Sequence, residues 1–79
     1  MEKRSVAVSR VRLLARTGEA RRIRERSLLS VSEIAHEIGV SASSLSRWET
    51  GTTTPRASVA LRWAEVLQQL EPGMAGASR

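Results

Sequence analysis

Apolar residues recur along this chain in short stripes separated by polar runs, and each stripe has the spacing of one face of a helix. The clearest is the last: Ala60, Trp63, Ala64 and Leu67 fall at i, i+3, i+4 and i+7, with Val59, Val66 and Leu70 widening the stripe, which predicts a helix over about 57 to 70. Upstream, Ile34, Ala35 and Ile38 form one short stripe and Leu45 with Trp48 another. A helix over about 18 to 27 is predicted from Ala20, Ile23, Arg24 and Ser27, a thin face that contains an arginine in need of a partner. Residues 1–16 have no single period, because Val6 and Val8 alternate while Val11, Leu14 and Ala15 keep helical spacing. They read as a basic arm followed by a short helical turn, or as an extra helix.

The stripes are punctuated by residues that start and stop helices. Thr17-Gly18 offers an N-cap, and Glu19 then stands in the first turn, where a negative charge suits the helix dipole. Ser30 and Glu33 have the spacing of a capping box, Gly39 ends that helix as the residue that tolerates positive φ, and Val40 is expected to point inward from the turn. Ser41 caps the next helix and Thr50-Gly51 ends it. Residues 52–55 must form a loop, Glu71-Pro72-Gly73 closes the last helix, and the final residues are expected to be disordered. The expected organisation is an N-terminal arm or extra helix over 1–16, a helical domain over 17–70 and a tail over 71–79.

Length and charge narrow the function. A chain of 79 residues is one small module, with no cysteine for a disulfide or thiolate site and a single histidine, too few for a histidine zinc site. His36 falls on an outward face and reads as a solvated residue. The absence of Cys and Tyr and of any carboxylate cluster argues against an enzyme and against a metal or other cofactor. The short apolar runs argue against a membrane span and for a soluble, cytoplasmic chain. The net charge of +5 is concentrated at the front: residues 1–30 hold nine bases against three acids. Eight of the nine are arginine, which pairs bidentately with phosphate, so a polyanion is a more natural partner than a small acidic substrate. Trp48 and Trp63 lie on apolar stripes and read as core, not as base-stacking platforms.

Residues 31–50 place two short helices around a glycine turn, with Ala35 small where the next helix crosses it. The second helix is left with a face free of bulky apolar residues, a shape suited to a major groove about 12 Å wide. An ordinary helical hairpin in a bundle would show a similar pattern. The stretch AHEIGVSASSLSRWETG followed by TTTP, with Ile34-Ala35, Gly39-Val40-Ser41, Leu45, Trp48-Glu49, Gly51 and Pro55, resembles the Cro and phage-repressor helix-turn-helix family over about residues 20 to 68. The resemblance implies an all-α, lambda-repressor-like domain of four to five helices.

It also implies roles. Arg24 would pair with Glu49; Ala42, Ser43, Ser46 and Arg47 would face base edges, with Arg47 carrying most of the readout; Ser41, Ser44, Thr50, Thr52, Thr53 and Thr54 would contact phosphates. Ahead of the region the resemblance covers, Arg10 and Arg12, with Lys3 and Arg4, are expected from their charge to follow the DNA backbone or enter the minor groove. Two departures stand out. Val31 occupies a position where many members have glutamine, and the fifth helix common in the family is not expected after Leu70; Val11 and Leu14 would cover the apolar surface it otherwise hides. The expected function is a phage-type, sequence-specific regulator that binds double-stranded DNA as a homodimer, with Val59, Val66 and Leu70 as the candidate interface. The alternatives are an antitoxin, which would bring a protein partner, and an architectural protein such as an excisionase.

Overall fold

The computed structural model describes residues 3–71. Five helices follow one another, α1 (Arg4–Thr17), α2 (Glu19–Arg26), α3 (Val31–Ile38), α4 (Ala42–Glu49) and α5 (Ala57–Leu70), and among the described residues there is no strand. The fold class is all-α. The tail beyond Glu71, where disorder is expected, lies outside the described residues.

Two forms are expected at the front, an arm with a short turn or an extra helix, and a continuous 14-residue helix begins at Arg4. Its cause is a buried stripe: Val8, Val11 and Ala15 fall at helical spacing and are at most 6% exposed, while Val6, which suggested alternation, is left 46% exposed. The most extensive contact of α1 is with α5, and Leu14 packs at its margin. Helix stability in short chains comes mainly from such tertiary packing, so the extra helix exists because α5 offers it an apolar face.

Gly18 joins α1 to α2 without a loop. At φ 87° it donates its N–H to Ala15 O and is at once the last cap of α1 and the first of α2. Thr17 Oγ1 receives the Glu19 N–H at 3.4 Å. The core then runs through Ala20, Ile23, Ile34, Ala35, Ile38, Leu45, Trp48, Ala60, Trp63 and Leu67. The two indoles lie side by side, ring centroids 5.8 Å apart and planes tilted by 39°, and both are core residues. His36 is exposed.

The caps of α3 and α4 follow from their sequences. Ser30 Oγ accepts from Glu33 N at 3.0 Å while Glu33 Oε1 accepts from Ser30 N at 2.7 Å, so the capping box is complete. Gly39, at φ 79°, lets Val40 N reach Ala35 O at 2.9 Å, and Arg62 Nε of α5 donates to Ile38 O at 2.9 Å. The end of α3 is thereby tied to α5. Ser41 Oγ accepts from Ser44 N at 3.1 Å to start α4.

Candidate nucleic-acid interface

Helix α4 has two unlike faces. Leu45, Trp48 and Glu49 turn inward and are buried, while Ala42, Ser43, Ser46 and Arg47 are all exposed and form one outward row. The register that buries Leu45 and Trp48 forces the other four outward, as the 3.6-residue period requires. Ala35, 2% exposed, is small enough for α3 and α4 to meet closely, so α4 is held as one rigid unit with α3.

The anchor of that unit is an ion pair. Arg24 of α2 donates from Nε to Glu49 Oε2 at 2.8 Å and from Nη2 to Glu49 Oε1 at 2.9 Å, the parallel two-bond geometry of a guanidinium on a carboxylate. A third donor, Nη1, reaches Leu29 O at 2.9 Å. The side chains are only 11% and 4% exposed. Hydrogen bonding to Glu49 outweighs the desolvation of burial and holds the Arg24 guanidinium above its ordinary pKa. The structure thus places the arginine of α2's thin apolar face against the last residue of α4 and fastens the outward helix to the body of the protein.

The hydroxyl residues divide into two groups. Ser41 and Ser44 are bonded to each other across the N-terminal cap, with Oγ–Oγ 3.0 Å, and Ser44 is half-buried. Thr50 Oγ1 donates to the end of α4 at Ser46 O and Arg47 O, and lies 3.1 Å from Thr52 Oγ1. Ser41 and Thr50 therefore serve the backbone of α4, and Ser44 and Thr52 are bonded to their hydroxyls. Thr53 and Thr54 are exposed and their hydroxyls make no hydrogen bond among the described residues. Gly51, at φ 79°, turns the chain so that the Thr52 N–H returns to Arg47 O at 2.9 Å.

Arg10 and Arg12 do not sit together. Arg12 is turned to the loop after α4, where its Nε and Nη2 both donate to Pro55 O at 3.1 and 2.9 Å. These two bonds tie α1 to that loop. Arg10 is on the other flank of α1, beside Leu14, Ala64 and Gln68. Val31, the departure noted above, packs against the core and presents no polar atom. Arg56, which the sequence reading passed over, is exposed at the N-cap of α5 and shares a groove with Ser44 and Thr54. A basic residue directly after Pro55 was the available signal.

Among the described residues no group of His, Cys, Asp or Glu is arranged to hold a metal ion, and no helix is long and apolar enough to cross a membrane. Neither a curated protein nor a solved structure matches this chain. The helix-turn-helix family does match, over residues 21–73, a span that begins in α2, includes the whole α3–α4 unit and the Arg24–Glu49 pair, and continues through α5. This chain belongs to the helix-turn-helix family of the Cro and repressor type, and is a DNA-binding transcriptional regulator.

Proposed function

We propose that the protein is a sequence-specific regulator that reads double-stranded DNA with α4 in the major groove and acts as a homodimer, in the manner of a phage repressor. The observation that carries this reading is the outward row Ala42, Ser43, Ser46 and Arg47 on a helix fastened through Glu49. Arg47 is the only long side chain of the row, and its guanidinium makes no hydrogen bond among the described residues, leaving its donors for a guanine edge. Ala42 suits a thymine methyl, and Ser43 and Ser46 are short enough to let the helix approach the bases closely. Thr53, Thr54 and Arg56 supply open backbone contacts, Ser41 and Ser44 hold the N-terminal end of α4, which presents amides to phosphate, and Thr50 and Thr52 brace its C-terminal end.

Dimerisation is proposed because four outward residues contact few base pairs, and two half-sites about one helical turn (roughly 34 Å) apart multiply that discrimination. Val59, Val66 and Leu70 are half-buried against the core, so a dimer would use only their outer edges. Selection of sites from a random duplex pool tests the reading: an enriched inverted repeat supports it, and binding without any preferred sequence refutes it in favour of an architectural role. Sedimentation of the chain alone and on the selected site tests the dimer, which a monomer in both states would exclude.

A further inference from the structure

The family match begins at residue 21, and α1 lies entirely ahead of it. Helix α1 carries Arg4, Arg10, Arg12 and Arg16 and no acidic residue. The arginines of α2 are by contrast neutralised within the fold. Arg21 pairs with Glu25 at 3.1 Å, Arg22 with Glu19 at 2.9 Å, Arg24 with Glu49, and Arg26 with Glu19 and Glu71 at 3.2 and 3.4 Å. In the N-terminal half, Arg4 and Arg16 of α1 are exposed and make no ion pair among the described residues.

That charge borders a groove. Between α1 and the loop after α4 runs an open trough of about 830 Å³, with Arg4, Ser5, Ser9 and Arg16 on one wall and Thr53 and Thr54 on the other. Its floor is fixed by Arg12, which joins the two walls through Pro55 O at 2.9 Å. Arg4 and Arg16 are exposed and make no ion pair or hydrogen bond among the described residues, and the same is true of the Thr53 and Thr54 hydroxyls. The trough thus combines guanidinium charge, hydroxyl donors and a rigid seat, and it is continuous with the loop that follows the outward helix.

We propose that this trough is a second backbone-binding track, in which Arg4 and Arg16 hold phosphates of duplex DNA beside the stretch that α4 reads. The proposal rests on the reading of the chain as a duplex-DNA binder. Arg12 is its positioning residue, setting α1 at a fixed distance from Thr53 and Thr54 without itself touching phosphate. A polyanion fits the trough better than a second copy of the chain, because the exposed apolar side chain at its edge, Leu13, stands among arginines that would be brought face to face in a symmetric contact.

The test is the salt dependence of binding to a generic mixed-sequence duplex, which does not require sequence recognition. Each phosphate released flattens the slope of log K against log salt by about 0.9, so the double variant Arg4→Ala/Arg16→Ala is expected to lose about 1.8 from the slope. Arg21→Ala/Arg22→Ala removes the same net charge away from the trough and is expected to leave the slope as it is. Thermal melting of each variant confirms that the fold is kept. An unchanged slope in the α1 variant overturns the proposal, as does an equal loss in both variants, which would mean that net charge alone is responsible. An unchanged slope with a weakened self-association would assign the trough to a second copy. Sequence preference, read on selected sites with Arg47→Ala, fails or stands separately.

Discussion

Removing either Arg24 or Glu49 leaves the other charge stranded where its side chain is only 4 to 11% exposed. Each single alanine substitution is expected to destabilise the fold by about 3–5 kcal/mol, and the double substitution by less than the sum, a difference that a double-mutant cycle by denaturant unfolding measures directly. Additive losses would show that the two side chains are not coupled. Both partners could be named in the sequence because an arginine on a thin apolar face demanded a carboxylate and the family resemblance supplied one. Leu28 is the opposite case. It is 90% exposed and sits at φ 61°, a conformation that L residues with bulky side chains avoid at about 1–2 kcal/mol. Nothing in Ser27-Leu28-Leu29-Ser30 signals it, since the turn lacks the glycine or asparagine that normally marks such a position. Leu28→Asn is expected to raise the unfolding free energy by up to about 1 kcal/mol, and a lower melting temperature would contradict that strain.

Short helices depend on their ends, and α3 has eight residues. Ser30→Ala removes the side-chain half of its capping box and is expected to lower stability by about 1 kcal/mol. The box also has a pH signature. Bonds from the Ser30 backbone and then its hydroxyl lower the pKa of Glu33 from its ordinary 4.5, and Arg22 followed by Arg26 lowers that of Glu19. A carboxylate lowered in the folded state binds fewer protons there than in the unfolded chain, so its stabilisation is whole above pH 4.5 and is lost as pH falls through the lower folded value. Unfolding monitored across that interval should show an acid limb that is shallower in Glu33→Gln, which has no carboxylate to protonate; identical limbs would show that Glu33 does not contribute. Caps are local chemistry, which is why the boundaries of α3 and α4 were legible. Helix α1 was only half legible, because its apolar stripe acquires meaning from α5, which lies more than forty residues away, as the Arg12–Pro55 contact illustrates at a separation of 43.

At the scale of the whole molecule, five helices within 33 × 26 × 21 Å hold one helix outward and bring a basic helix alongside it. The outward row was legible because Leu45 and Trp48, the large apolar residues of α4, fix which way the helix faces. The sequence could not show that Ser41, Ser44, Thr50 and Thr52 are engaged with one another or with helix ends, or that Arg12 faces Pro55, since both depend on where loops close. Whether α4 reads sequence through Arg47 is decided by the affinity of wild type and Arg47→Ala for a selected site, for that site with its guanine replaced, and for a scrambled duplex. The variant is expected to lose about 1–3 kcal/mol of discrimination at one guanine-containing position per half-site and to bind the scrambled duplex nearly as wild type does. A uniform loss on all three duplexes, with discrimination intact, would show that Arg47 holds phosphate and that the reading of α4 is wrong.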